Sequence, residues 1–131
     1  MNVRRPRLRL WFTDIADGAQ SRRAALRLDH LGGAPIDPRG WAIVLKRGTE
    51  SLRFALPEQL ERNQWRFEHG ETIYVLAGLG ADALLVERAR RPTYWLYLQQ
   101  EERFLQPGEV DAELRDPDDG VVVSSRRLPD P

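Results

Sequence analysis

The sequence contains no cysteine, which excludes disulfides, thiolate metal sites and cysteine nucleophiles. Lysine occurs once, at Lys46, and every other basic residue is arginine. A GC-rich coding sequence gives that bias without any functional pressure, although arginine also suits bidentate pairing at interfaces. Asparagine is confined to Asn2 and Asn63; scarce asparagine and absent cysteine are features of heat-tolerant proteins. Excess charge of either sign is missing, because 20 basic residues meet 20 acidic ones, so no attraction of the whole molecule to a polyanion is implied. No apolar run approaches the roughly 20 residues that cross a bilayer as a helix. The basic start, Arg4-Arg5-Pro6, is followed only by Leu8 to Phe12, and Arg9 interrupts that stretch. That is not the apolar segment of a secretory signal, so a cytoplasmic location without membrane insertion is expected.

What is present fits one domain. The 131 residues are 41% hydrophobic and 31% charged, enough apolar surface for a core and too much for a wholly disordered chain. Short alternating segments dominate. Leu8, Leu10 and Phe12 fall on one face of an extended segment and Arg9, Trp11 and Thr13 on the other. After Asp17-Gly18, Leu26 and Leu28 point one way and Arg27 and Asp29 the other. Trp41, Ile43 and Leu45 form the next row, then Leu52, Phe54 and Leu56, then the compact run Thr72 to Leu76. Tyr94 to Leu98 is rich in aromatics, which suit a pleated surface. Val110, Ala112 and Leu114 alternate with Asp111, Glu113 and Arg115, and Asp116-Pro117-Asp118-Asp119-Gly120 is a turn before the returning strand Val121 to Ser125. About eight mostly antiparallel strands with close turns predict an all-β fold, two sheets closed face to face. The domain is expected over residues 8–125, with a basic arm at 1–7 and a tail at 126–131. Two segments break the pattern: Glu58 to Arg62 reads as a helical turn, and Ala81 to Arg91 as a helix with Leu84, Leu85 and Ala89 toward one side.

Three stretches carry a family resemblance. Ala25 to Ile43 runs from a strand through Gly32-Gly33-Ala34-Pro35 to the pair Gly40-Trp41; Phe67 to Val75 is a glycine turn followed by an apolar strand; Gln106 to Gly120 is a strand ending in a tight hairpin turn. This pattern resembles the lamin-tail domain, with His69 where that family usually has proline and Glu109 where it has aspartate. The resemblance implies an immunoglobulin-like β-sandwich and a binding or scaffolding role without catalytic residues. The residues themselves fit it: Trp41 can anchor the middle of a sandwich, Gly40 allows close packing or an unusual φ, and Asp119-Gly120 tolerates left-handed backbone.

Sites for chemistry are sparse. Tyr74 to Ala83 contains Gly78-x-Gly80-x-x-Ala83 after a strand, a dinucleotide-type turn. The hairpins before it are not the strand–helix alternation such a unit needs, so a strand-to-loop turn is the plainer reading. Asp116, Asp118 and Asp119 lack the alternating ligands and distal glutamate of a calcium loop and read as a hairpin turn. His30 and His69, the two histidines, read as solvated loop residues rather than metal ligands. Neither has a nucleophile elbow to serve. No cofactor and no metal are expected.

Arginine and aromatic residues remain. Tyr, Trp and Arg are the favoured anchors of protein interfaces, so the function expected is a non-catalytic protein-binding or scaffolding module, an accessory subunit of a larger assembly or a homo-oligomer. Its contacts would be Arg4, Arg5, Arg7, Arg9, Trp11, Trp95 and Tyr97. The alternative is nucleic-acid binding through Arg22, Arg23, Arg27, Arg88, Arg90 and Arg91, with Trp11, Trp65, Trp95 or Tyr97 stacking on bases. A nucleotide-binding enzyme built on Gly78 and Gly80 is the third reading.

Overall fold

The computed structural model describes residues 5–17, 21–60, 63–77, 82–85, 93–99 and 104–128. Eleven strands run through them: β1 (Arg7–Asp17), β2 (Ser21–Gly32), β3 (Ala42–Arg47), β4 (Glu50–Ala55), β5 (Gln59–Leu60), β6 (Asn63–Gln64), β7 (Thr72–Leu76), β8 (Ala83–Leu85), β9 (Thr93–Tyr97), β10 (Val110–Arg115) and β11 (Val121–Arg127). Nine of them form two sheets, ordered β1-β2-β7-β9-β8 and β11-β10-β3-β4, while β5 and β6 make a two-stranded ribbon. There is no α-helix among the described residues, and none of their segments is a helix long and apolar enough to cross a membrane. The molecule is an all-β sandwich, as the alternation predicts. β1 takes in Arg7 and β11 takes in Arg126 and Arg127.

The pleat decides which residues are inside. Leu26 and Leu28 of β2, Ile73 and Val75 of β7, and Tyr94 and Leu96 of β9 are buried on the inner face of the five-stranded sheet. Ile43 and Leu45 of β3 and Ala112 and Leu114 of β10 are buried on the facing sheet. The open ends of this double layer are filled from the ribbon and the loops by Ile36, Leu56, Leu60, Trp65, Phe67, Phe104 and Leu105. Trp65 Nε1 donates to the Pro57 carbonyl at 2.8 Å, its ring lies 4.5 Å from that of Tyr94, and Phe67 meets Tyr94 and His30 edge-on. The largest fully buried side chains are Phe67 and Phe104, at 1% and 2% exposure. Trp41 is only half-buried, just ahead of β3, and packs against the core from its margin. The expectation that its indole anchors the centre is therefore corrected: the inward strand residues form the centre, and Phe67 and Phe104 are the large side chains that close its ends.

Other expectations can be placed one by one. Gly40 has φ +82°, and a Cβ there would stand 3.1 Å from Pro117 Cβ, so the chain needs glycine where β3 passes the final hairpin turn. That turn is left-handed at Asp119, φ +65°, and Asp116 Oδ1 accepts the N–H groups of Asp118 and Gly120. The helical reading of 58–62 fails at Gln59–Leu60, which pair with Asn63–Gln64; residues 61–62 lie outside the described part. The helical reading of 81–91 fails at Ala83–Leu85, which pair antiparallel with Thr93–Trp95; sheet pairing overrides local propensity there. All other ladders are antiparallel too, except β7 with β9, which is parallel.

His30 corrects the solvated-loop reading. It lies in β2 at 1% exposure, with Nε2 2.8 Å from the Ala34 carbonyl and Nδ1 accepting the Gly32 N–H. Both ring nitrogens are engaged, leaving no lone pair for a metal. His69 is exposed in the turn before β7.

Truncation of Phe67 tests which aromatic residue the core depends on. Phe67→Ala is expected to lose about 3–5 kcal/mol, and Trp41→Ala clearly less, in denaturant unfolding of both variants. Equal losses would restore the indole to the centre.

Candidate functional site

The alternation that buries the core sends the intervening residues of the five-stranded sheet outward. There the registers coincide: Trp11 is opposite Arg27, Arg27 opposite Tyr74, and Tyr74 opposite Trp95. One row thus crosses β1, β2, β7 and β9. The Arg27 guanidinium carbon lies 5.1 Å from the Trp11 ring centre and 5.5 Å from that of Tyr74, and Arg9 covers Trp11 at 4.6 Å. Tyr74 and Trp95 stack at 4.9 Å with their planes 22° apart. Such cation–π and aromatic contacts are worth about 0.5–1.5 kcal/mol each, and together they hold the row in a fixed arrangement.

Asp29 braces the row from below. Its Oδ2 accepts Trp11 Nε1 at 3.0 Å, and its Oδ1 accepts Arg27 Nε and the Thr72 hydroxyl, both at 2.8 Å. Burial pushes its carboxyl up, but the bonds from Arg27, Trp11 and Thr72 outweigh burial and hold it below the ordinary aspartate value. Beyond the row, Ala25 and Leu76, opposite each other and next to Thr13 and Tyr97, are buried. The accessible part of this face is therefore the other end, where Arg5, Arg7 and Arg9 are exposed. At the far edge, Asp82 Oδ1 accepts the Tyr97 N–H, and burial raises its carboxyl despite that bond.

The outer face of the other sheet is a different surface. Arg126 pairs with Asp111, Lys46 and Arg115 with Glu113, and Arg53 and Arg115 with Asp119. Arg126, Lys46 and Arg53 hold the three carboxyls below their usual range. Exposed pairs of this kind add little stability, but they leave the face with its charges matched. A cleft of about 320 Å³ lined by Asp37, Arg39, Glu58, Gln64, Trp65 and Arg66 is also internally paired, since Arg39 forks onto Asp37. Inside, the Glu71 carboxylate accepts from the Glu68 N–H, and the Tyr94 hydroxyl lies 2.9 Å from both Glu71 and the Arg66 carbonyl. Burial and then Glu71 push that phenol far up.

Of the residues the sequence points to, the structure brings Arg9, Trp11, Arg27 and Trp95 together, with Arg5 and Arg7 at the rim and Tyr97 two residues beyond Trp95 on β9. Arg4, Arg88, Arg90 and Arg91 lie outside the described residues, as do Gly78 and Gly80 and the side chains of Arg22 and Arg23. Trp65 is corrected: it is buried, with its N–H bonded inside the protein, and cannot stack on a base. Sequence reasoning missed Tyr74 and Asp29 as members of the site. Their signal was the outward phase of the alternation, read across neighbouring strands rather than along one. No family model and no curated protein matches this chain.

Two outcomes follow for this row. The stability that Asp29 contributes through its bonds is fully present above its ordinary pKa of 3.8 and is lost as pH falls through the lower folded value. Asp29→Asn is thus expected to flatten part of the acid limb below about pH 4 in unfolding measurements. Among the described residues the buried Trp95 Nε1 has no acceptor, a state that costs about 1–3 kcal/mol. Trp95→Phe removes that donor and is expected to keep or raise the melting temperature, whereas Trp95→Ala lowers it.

Proposed function

We propose that this chain is a lamin-tail-like, immunoglobulin-type β-sandwich that acts as a non-catalytic docking module, binding another protein through the outer face of its five-stranded sheet. The observation that carries this reading is the in-register row Trp11–Arg27–Tyr74–Trp95, braced by Asp29. Interfaces draw most of their energy from Trp, Tyr and Arg anchors, and anchors already locked in place lose little entropy on binding. The glycine at position 40, the turn at Gly70 with φ +86° and the β10–β11 hairpin occupy the places where the family resemblance lies. A non-catalytic role is supported by His30, whose two nitrogens are engaged, and by Asp116, which caps its own turn.

Nucleic-acid binding is the second reading, favoured by the exposed Arg5, Arg7 and Arg9. Of its six arginines only Arg27 has a described side chain, and Arg27 is engaged by Asp29 and two rings.

The test immobilises the protein and two variants in source lysate: Arg9→Ser with Trp95→Ser on the row, and Arg53→Ser on β4, at the far edge of the opposite sheet. A protein retained in fixed ratio by wild type and by Arg53→Ser, but lost by the row variant, is the expected result. Retention by all three, or a strict monomer in light scattering that retains nothing, overturns the reading. Duplex binding that weakens steeply with salt would favour the second one.

A further inference from the structure

We infer that the segment received by this face is an extended, acidic stretch of protein, laid along the rim of Arg5, Arg7 and Arg9 beside the exposed Leu31. The inference rests on the docking reading above and names the chemistry of the partner.

The rim is built by the arm and β1. Arg7 and Arg9 share the outward phase of β1 with Trp11. Arg5 is two residues earlier, where the chain is held against Gly33: that glycine has φ +90°, and a Cβ on it would strike the Arg5 carbonyl. The three arginines are thus spaced by two residues along a fixed path, about 6.6–6.8 Å per step in extended chain. An extended partner repeats at the same interval, so carboxylates at alternate positions would meet successive guanidinium groups, each with N–H donors to spare.

The charges already present do not satisfy this rim. On the opposite sheet Arg53, Arg115, Arg126 and Lys46 all have carboxylate partners. Among the described residues none of Arg5, Arg7 and Arg9 has one. Arg7 Nη2 donates to the Leu31 carbonyl at 3.3 Å, and Arg9 lies over Trp11. Asp29, the residue in register with Arg9, already accepts from Arg27, Trp11 and Thr72 and makes no ion pair with Arg9 among the described residues.

An apolar contact lies beside the charges. The β1–β2 register shifts between Arg7 and Leu8, which leaves Leu31 unopposed and 48% exposed. An amphipathic acidic segment can cover it; a phosphate backbone gains nothing there. Charge and apolar contact together therefore favour protein over nucleic acid.

The experiment is fluorescence anisotropy at neutral pH with a labelled peptide of alternating Glu and Val, about ten residues long. Peptides of alternating Gln–Val and Lys–Val and a single-stranded oligothymidylate serve for comparison. The Glu–Val peptide is expected to bind, to weaken as salt rises, and to lose about tenfold or more in affinity in the Arg7→Gln, Arg9→Gln double variant, while Arg53→Gln on β4 changes nothing. These substitutions are on exposed residues, and thermal unfolding checks that each variant folds. No binding of the Glu–Val peptide, or binding no tighter than Gln–Val, overturns the inference. If Gln–Val binds equally and is released by the Trp95→Ser row variant, the docking reading stands while the acidic partner falls. Tighter binding of the oligothymidylate overturns the inference in favour of nucleic acid.

Discussion

A strand has two faces and a repeat of two residues. That constraint decides almost everything about this molecule. Placing Leu26 and Leu28, Ile73 and Val75, and Tyr94 and Leu96 in the interior leaves Arg27, Tyr74 and Trp95 no option but the exterior. A slip of one residue in any ladder would bury the guanidinium and expose the leucines, so the hydrophobic core is also what fixes the outer row. The order of the row is set by the registers, and its rigidity by Asp29, which takes three hydrogen bonds from three different strands. The most buried apolar residues and the outward row are products of the same pairing.

The two outer faces show what else the pleat can do. One sheet has its charges in closed pairs, the other has guanidinium groups stacked on rings and a rim of arginines without carboxylates. The chain as a whole is neutral, so the asymmetry arises only when strands are laid side by side. Composition records the sum of the charges, and the sum conceals their separation.

Much of the architecture was legible in the sequence because long alternating segments are hard to mistake. β1, β2, β3, β4, β7, β9, β10 and β11 are each visible as a period-two pattern or a compact apolar run. β5 and β6 are two residues each, too short to show any period. β8 sits in a stretch whose leucines fit a helix equally well, and only its pairing with β9 decides otherwise. His30 looked like a loop residue because it precedes Leu31-Gly32-Gly33; β2 runs further than its apolar alternation, and the ring satisfies itself on the backbone of the turn. Trp41 stands out in the sequence by its size and as half of the Gly40-Trp41 pair, while Phe67 and Phe104 lie in segments without periodicity and give no such signal. The site was half legible. Arg9, Trp11 and Trp95 could be picked by residue type, but Tyr74 and Asp29 matter for where they stand relative to other strands, which one chain read end to end does not reveal.

The parallel pairing of β7 with β9 bears on the order in which the protein is assembled. β8 is synthesised before β9 yet lies outside it, at the end of the sheet. Among the described residues β8 pairs only with β9, so its place in the sheet depends wholly on a strand that follows it in the chain.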